Sequence, residues 1–515
     1  MSRTTASNRK KLEFSLDNKT VLDTFAADGW TKSGSGSPLG TWTVDVVDTY
    51  SGRSTLKLVT SGTGTGVRDY AIKTLSSPIN FDFVKDSLIF EMIAKVNDIN
   101  KVSRLYLDLF IGPATTTPNY YQIIFESTGR KWGFNNEYEV FRGTFHNSMN
   151  SQAVSGNIKG IRIEVSDNAT PITFNFAELS VYKMKSKRAY IVFTNDDGTK
   201  SGYDFMHSVM QPLGFTGTFF PSRENIVSGE GGSAGYVDHS EILQLESDGF
   251  EIGIHAESGN VSKTATTISF DSASKEIRDS GNGFVAAGFL AGQYALVTGS
   301  TKNNGGYFIE SVSAGVLKVT EVLTDESAGA SVAINAEGFE SYTEPTLGAY
   351  IDTQITYLRD TVGASSSLDT LAYPNGAYGK DSSSFPYTNA ASRFRLARVT
   401  HEQNTECLVI NDPLRIHAGK NMYFSSSNSV AAIKNSIGNL ISTGGIGIIV
   451  SHSIIEAASS SYNYNLTDAT TVMNYIKTLV DAGKLEVIKF GDIDKIVPLR
   501  TSATHRTTAT NRTSV

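Results

Sequence analysis

Apolar and polar residues alternate along the first third of the chain. Runs in which every second residue is apolar recur at 41–47, 54–59, 87–94, 105–111, 120–125, 160–165 and 172–181. Clusters of Gly, Ser and Thr separate these runs, and the spacing of an amphipathic helix is absent. We therefore predict a β-sandwich, jelly-roll-like, over residues 12–184, preceded by a flexible segment at 1–11.

The pattern changes near residue 185, where apolar strands begin to alternate with segments of helical spacing. Strands are predicted at 189–194, 216–220, 250–254, 370–373, 394–400, 446–450 and 486–488. Helices are predicted at 203–213, 238–247, 347–362, 429–442 and 468–482, with Asp238 as an N-cap. Repeated units of this kind indicate a parallel sheet or barrel whose functional residues follow the carboxyl ends of the strands.

A β-rich segment interrupts the α/β pattern at 264–338. It contains four to six candidate strands joined by turns of Gly, Asn and Ser. A small inserted β-domain fits this pattern, because long insertions in a loop cost little closure entropy. The α/β domain is thus predicted as two pieces, 185–263 and 339–498, followed by a flexible polar tail at 499–515.

Composition narrows the class of protein. A length of 515 residues predicts several domains. The mild net charge of -7 argues against a nucleic-acid partner, and the single cysteine excludes a cysteine-rich zinc site. The chain has no apolar run long enough to span a membrane. Its start is basic and polar without the apolar stretch of a secretion signal, so none is expected.

The first candidate for chemistry is the segment Thr194-Asn195-Asp196-Asp197-Gly198, directly after a buried strand. Adjacent carboxylates are costly unless a cation or a proton lies between them. A metal ion would resolve this if one Asp bound it while the other accepted a proton from water. Asp-Asp-Gly also forms ordinary turns, so the segment needs support from elsewhere in the chain.

Three later segments give that support. FEIGIH places His255 after a strand, and an imidazole beside a carboxylate is a ligand pair that Zn²⁺ accepts. AYPNG ends a strand in a rigid turn at Pro374 and Asn375, which can direct backbone N–H groups at an oxyanion. IIVSHS brings His452 to the end of a fourth strand, where it could protonate a leaving group.

The order TNDDG, FEIGIH, AYPNG, IIVSHS resembles the polysaccharide deacetylases with the NodB homology domain, the fourth carbohydrate esterase family. The resemblance implies a distorted (β/α) barrel of NodB type and a metal-dependent hydrolase that releases acetate from a polysaccharide, with Zn²⁺ as the expected divalent ion. It also implies roles for five residues: Asp196 as general base, Asp197 and His255 as metal ligands, His452 as general acid, and the backbone N–H of Asn375 as oxyanion donor.

The sequence departs from the family pattern at the metal site. The family's second histidine ligand is absent, because Gly259 stands in its place, and the usual arginine of the third motif is Ala372. We take His401 as the first substitute ligand, with His239, Glu257 and Asn260 as alternatives. Pro374 and Tyr378 are candidate substrate-binding residues.

The flanking β-domains and the Ser/Thr/Gly-rich composition resemble a bacteriophage tail spike or tail fibre. We therefore expect a virion component that acts outside the cell on a bacterial surface polysaccharide such as capsule or O-antigen. Its expected partners are other tail proteins and copies of itself, a trimer by analogy. Whether the sandwich binds carbohydrate or serves as a spacer or trimer contact stays open. So do two alternatives for the whole chain: a catalytically degenerate glycan-binding receptor module and a purely structural tail protein.

Overall fold

The computed structural model describes residues 19–496, except 27–28, 65, 83–86, 111–119, 128–135, 137, 144–154, 185–187, 256–259, 338, 340–341, 343, 377, 379–384, 404–411, 420, 459 and 461. The predicted flexible ends, 1–11 and 499–515, lie outside these residues. Over the described part the chain is multidomain and rich in strands, as expected. No helix there is long and apolar enough to cross a membrane.

The first part of the chain is all-β. Its strands are β1 (Lys19–Asp23), β2 (Thr31–Ser35), β3 (Thr41–Tyr50), β4 (Arg53–Val59), β5 (Arg68–Asp82), β6 (Ser87–Val96), β7 (Val102–Phe110), β8 (Tyr120–Ser127), β9 (Tyr138–Gly143), β10 (Ser155–Asp167) and β11 (Thr173–Met184). They form two antiparallel sheets, β3-β4-β11-β6-β9 with β1 beside β11, and β2-β5-β10-β7-β8. One apolar core lies between the two sheets, with Phe90 and Phe176 from the first and Leu107 and Ile163 from the second.

The α/β part begins with three parallel strands, each followed by helix or loop. They are β12 (Ala189–Asp197), β13 (Thr218–Pro221) and β14 (Glu251–Ile252), with helices α1 (Lys200–Phe205), α2 (Arg223–Glu230) and α3 (His239–Ser247). The helix predicted at 203–213 is instead α1 continued by a π-helical turn and a short 3-10 turn. Asp238 is confirmed as an N-cap, because its side chain accepts from the N–H of Glu241 in a capping box.

The inserted segment forms one antiparallel sheet with strands β15 (Asn260–Ala265), β16 (Ile268–Asp271), β17 (Glu276–Asp279), β18 (Tyr294–Thr298), β19 (Gly305–Ser313), β20 (Val316–Val319) and β21 (Val332–Glu337), and a short helix α4 (Phe284–Ala287). The strand order is β15-β21-β18-β19-β20-β17-β16. Six of these strands, β16 to β21, lie within the predicted segment 264–338, in agreement with the four to six expected there, and a seventh joins the same sheet. The additional strand β15 starts at Asn260, four residues before the expected boundary, and it pairs with β21.

The chain then resumes the α/β pattern. The elements are α5 (Glu344–Thr356), β22 (Thr370–Ala372), α6 (Phe385–Arg393), β23 (Leu396–Gln403), β24 (Ile416–Gly419), β25 (Tyr423–Phe424), α7 (Val430–Thr443), β26 (Gly445–Ser451), β27 (Ser453–Ile455), β28 (Asn463–Asn465), α8 (Leu466–Asp481), β29 (Glu486–Ile488) and α9 (Ile493–Ile496). The helix predicted to run to residue 362 ends as α5 at Thr356 and continues as a π-helical turn.

All strand pairs of the α/β sheets are parallel. One sheet has the order β14-β13-β12-β26-β25 with β29 beside β12, and the other is β22-β23-β24. A parallel bridge between Ile254 and Leu371 connects them. Alternate residues of β12 serve two cores: Ile191 and Phe193 pack in the cluster that includes the helices, whereas Tyr190 and Val192 pack with strand residues from both sheets. The strands are therefore buried on both faces, as in sheets covered by helices.

Candidate active site

Strand β12 ends in the two carboxylates singled out from the sequence. Asp196 is 1% exposed, whereas the side chain of Asp197 is 26% exposed. The backbone turns left-handed at Asp197, with φ of 70°, and again at Gly198, with φ of 75°. A non-glycine residue in this region costs roughly 1–3 kcal/mol and is typical of functional sites. The turn gives the neighbouring carboxylates different surroundings.

Asp196 is paired with a buried arginine. Arg398 lies on β23 and is 0% exposed, and its Nη2 donates to Oδ1 of Asp196 at 2.6 Å and also to Oδ2. The guanidinium lies near the face of Phe220, with Cζ 5.8 Å from the ring centroid. Arg398 therefore balances the charge of Asp196 in a place where water cannot.

Asp197 faces a histidine whose orientation is fixed from behind. His255 is 4% exposed, and its Nδ1 lies 2.9 Å from the carbonyl oxygen of Ala372. A carbonyl can only accept, so Nδ1 carries the proton. Nε2 lies 3.2 Å from Oδ1 of Asp197. In neutral His255 both of these atoms are acceptors, so a proton or a metal ion has to lie between them.

That separation fits a divalent ion. Zn–N and Zn–O bonds of about 2.0–2.2 Å at a tetrahedral angle place two ligand atoms about 3.3–3.6 Å apart, so 3.2 Å lies at the short end of this range. The bond from Nδ1 to a backbone carbonyl is also the usual outer support of a metal-binding histidine. Among the residues that the structure describes, however, no group of three His, Cys, Asp or Glu side chains could hold a metal ion. Asp197 and His255 are thus a pair of candidate ligands without a third among the described residues.

His452 completes the cluster from the end of β26. Its Nε2 lies 3.9 Å from Oδ2 of Asp197 and 4.0 Å from Oδ2 of Asp196. Its carbonyl oxygen accepts from Asn195 Nδ2 at 2.6 Å and from Thr199 Oγ1 at 3.2 Å. The turn that carries the two carboxylates therefore also fixes the backbone of His452.

Two tyrosines contact the ring of His452. The hydroxyl of Tyr423 lies 3.4 Å from Nδ1, on the side opposite to the carboxylates. Burial raises the pKa of Tyr423, and the negative charges of Asp196 and Asp197 raise it further, so its hydroxyl stays protonated. Tyr462 packs edge-to-face on the same imidazole, with ring centroids 5.5 Å apart, and is 62% exposed.

The remaining predicted site residues lie around this cluster or outside the described part. Asn375 is exposed in the Pro374–Gly376 turn with φ of 53°, and its carbonyl accepts from Thr400 Oγ1 at 3.2 Å. Pro374 is buried. Tyr378 is 6% exposed and packs against Tyr373 and the guanidinium of Arg415, so its ring serves packing here.

The candidate substitute ligands do not complete the metal site in the described residues. His401 lies on β23 and Asn260 at the start of β15, but their side chains are outside the described part, as is all of Glu257. His239 pairs with Glu230 at 3.3 Å and with the Tyr357 hydroxyl at 2.8 Å, which is a structural role at the start of α3.

Arg398, Tyr423 and Tyr462 were not predicted. An arginine among the apolar residues Leu396, Ala397 and Val399 at the start of β23 was a usable signal, because a buried charge requires a partner. Arg398 is the register partner of Ala372 on the neighbouring strand. The arginine that the family resemblance would place at Ala372 thus has a counterpart one strand away. Nothing in the local sequence marked the two tyrosines.

Comparisons with known proteins leave the activity open. No family model and no curated protein matches the chain. Among solved structures, a family 11 carbohydrate-binding module from Clostridium thermocellum in complex with a mixed-linked tetrasaccharide is 12% identical with a TM-score of 0.24, and covers 32% of this chain and 95% of its own. A family 30 carbohydrate-binding module from the same organism is 15% identical with a TM-score of 0.24, covering 32% and 96%.

A third solved structure is the enzymatically active domain of tailspike protein 4 from bacteriophage CBA120. It is 11% identical with a TM-score of 0.22, and the match covers 31% of this chain and 20% of that one. At these scores and identities, the similarities establish neither a ligand nor an activity for this protein.

Proposed function

We propose that this chain is a metal-dependent hydrolase that removes acetyl groups from a bacterial surface polysaccharide. The observation that carries the proposal is the meeting of Asp196, Asp197, His255 and His452 at the carboxyl ends of parallel strands. His255 lies 3.2 Å from Asp197, and His452 lies 3.9 Å from Asp197 and 4.0 Å from Asp196, a set of acids and bases suited to proton transfer to and from water.

The proposal includes a distorted barrel of NodB type. The parallel order β14-β13-β12-β26-β25, the bridge from Ile254 to Leu371, and the second sheet β22-β23-β24 support it. So do the two separate cores on either face of β12, because a barrel strand has one face toward the interior and the other toward the helices.

In the proposed reaction, water adds to the acetyl carbonyl carbon and the bond to the sugar oxygen or nitrogen breaks. Asp196 takes the proton of the attacking water, with Arg398 holding its carboxylate in place. His452 gives the proton on Nε2 to the leaving group, and the backbone N–H of Asn375 donates to the oxyanion. A divalent ion, Zn²⁺ first, would be held by Asp197 and His255 and would supply Lewis acidity.

The proposed setting is a bacteriophage tail spike or fibre acting on capsule or O-antigen at the host surface. Antiparallel β-domains in front of and within the α/β part support this setting. The proposal extends to other tail proteins as partners and to a homotrimer. Light scattering of the purified chain tests the trimer directly, since a monomer in solution would contradict it.

Acetate release is the test of the activity. We expect acetate from at least one of an O-acetylated capsular polysaccharide, an O-antigen preparation and N-acetylchitopentaose, in the presence of Zn²⁺, Co²⁺ or Mn²⁺. Asp196→Asn should lower the rate about 10²–10⁴-fold, the contribution of a general base. The matched control is Asp204→Asn, an exposed residue of α1 paired with Lys200, which should change nothing. Absence of acetate with every substrate and metal would refute the proposal.

Metal content tests the candidate ligand pair Asp197 and His255 independently of activity. Purified protein should retain about one divalent ion per chain after dialysis, and His255→Gln or Asp197→Asn should lose it. His239→Gln is the matched control, since His239 pairs with Glu230 and Tyr357 instead. If wild-type protein binds no metal, the contact is explained instead by a protonated His255 whose Nε2 donates to Asp197.

The second candidate is a glycan-binding receptor module without catalysis. The specific observation in its favour is that the described residues supply only two metal ligands. It predicts that glycan binding and host adsorption survive in Asp197→Asn while no acetate is released by the wild type.

A further inference from the structure

The wall of the candidate active site ends in an exposed aromatic ring. Twelve large hydrophobic residues are exposed in the described part of the chain, and Tyr462 is the aromatic one among them, at 62%. Single exposed apolar side chains are common on protein surfaces, and what distinguishes Tyr462 is its position. That position is beside His452, the proposed proton donor.

The ring is held in place by its own segment and by the histidine. The N–H of Ser453 donates to the carbonyl oxygen of Tyr462 at 3.2 Å, so the backbone of Tyr462 is tied to the residue that follows His452. The neighbouring strands β27 and β28 extend this pairing, with Ser453 opposite Asn463. The edge-to-face packing on His452, at 86° between planes, fixes the orientation of the ring. A preordered ring loses little entropy on binding a ligand.

The chemistry of a sugar matches such a surface. A pyranose presents a face of C–H groups that packs on an aromatic ring, while its hydroxyls remain available to water and polar side chains. Tyr423 is partly buried, and its ring packs at a tilt on the imidazole of His452 with centroids 5.6 Å apart, so it offers less free surface than Tyr462. The carboxylates of Asp196 and Asp197 lie 4.0 and 3.9 Å from Nε2 of the same imidazole, where the proposed reaction would take place.

We propose that Tyr462 is the stacking platform of a saccharide subsite adjacent to the reacting residue of a polysaccharide chain. The subsite deepens the proposed function and rests on it for the identity of the neighbouring reaction. Its ligand class is a neutral pyranose face, and it needs the ring of Tyr462 rather than the hydroxyl.

Binding of deacetylated glycans tests the subsite without any turnover. Calorimetry with glucosamine pentamer, xylohexaose and a de-O-acetylated capsular polysaccharide should show binding of at least one by the full chain. Tyr462→Ala should weaken it about 3- to 10-fold, the range expected for an aromatic contact. Tyr462→Phe and Tyr462→Trp should restore it. Tyr475→Ala is the control, because this partly exposed tyrosine of α8 packs with Lys434, and binding there should not change.

The outcomes separate the subsite from the activity. Weaker binding by Tyr462→Ala with no acetate release by wild-type protein supports the subsite and refutes the deacetylase. Unchanged binding by Tyr462→Ala, failure of Tyr462→Trp to restore it, or no binding of any of the three glycans by wild-type protein overturns the subsite. Circular dichroism of each variant verifies that the loss of binding does not arise from unfolding.

Discussion

Replacing Arg398 with methionine tests whether Asp196 depends on a partner from another strand. Arg398 is 0% exposed and Asp196 is 1% exposed, so neither charge has water to compensate it. Methionine keeps much of the side-chain length and leaves the carboxylate of Asp196 buried beside an apolar group. The pair should behave as a buried ion pair from which one member has been removed.

The expected loss of stability is about 3–5 kcal/mol, the cost of leaving a buried charge uncompensated. In a domain of roughly 150–250 residues, each kcal/mol lowers Tm by about 2–4 °C, so Tm should fall by roughly 6–20 °C. The double variant Asp196→Leu with Arg398→Met removes both charges and should recover most of the loss, because buried ion pairs often match apolar residues in net stability.

Thermal unfolding followed by circular dichroism at 222 nm is a suitable assay, since every described α-helix except α4 lies in the α/β part. Arg359→Met is the matched control: this arginine is 58% exposed and pairs with exposed Asp360, so its loss should cost less than about 1 kcal/mol. A fall in Tm for Arg398→Met no larger than for the control would refute the reasoning. A double variant less stable than the single one would also refute it.

Two further predictions concern other parts of the molecule. Burial raises the pKa of Asp108 from 3.8 to about 6, although Arg162 opposes this. The folded chain therefore holds more protons than the unfolded one between those pH values, and the sandwich should lose on the order of 3 kcal/mol as pH rises through them. Asp108→Asn should flatten this dependence of the free energy of unfolding on pH. Urea unfolding followed by tryptophan fluorescence measures it, because all three tryptophans lie before residue 184. An unchanged slope of the free energy of unfolding against pH would contradict the prediction. Tyr423→Phe keeps the ring beside His452 but removes the hydroxyl 3.4 Å from Nδ1. In this variant the rate of acetate release from alkyl esters should fall more than the rate from 4-nitrophenyl acetate, because the nitrophenolate leaves without a proton from His452. Equal losses for both substrates would indicate a structural role for the hydroxyl.

Much of the architecture could be predicted from periodicity. β12 and β26 of the α/β part contain continuous apolar runs buried on both faces, and they stand within a few residues of their predicted bounds. β5 was missed, although it is the longest strand of the sandwich, because Ser-Ser-Pro interrupts its alternation. Helix α2 was missed as well, since it is short and buries only Ile226.

The sequence predicted the site residues that directly follow apolar strands. It did not predict the site contact that joins residues on different strands. His255 and His452 come directly after apolar runs, so their common edge followed from the parallel arrangement. The partner of Asp196 did not, because register between β22 and β23 brings Arg398 beside Ala372 and no local pattern records that pairing. The third metal ligand stays a prediction, with Glu257 outside the described residues and the side chain of His401 outside them too.

The position of Arg398 bears on how departures from a family pattern are weighed. Loss of an arginine at Ala372 suggests on sequence grounds that the site has decayed, since a buried carboxylate would then stand alone. In the structure the small side chain of Ala372 lies beside Arg398 on the adjacent strand, and the charge of Asp196 is balanced by a side chain of the same chemistry. Arg398 stands in the first half of β23, between the buried residues Ala397 and Val399, so its charge depends on Asp196. The departure at Ala372 therefore leaves Asp196 with a buried counterion, and the reason for regarding this carboxylate as isolated falls away.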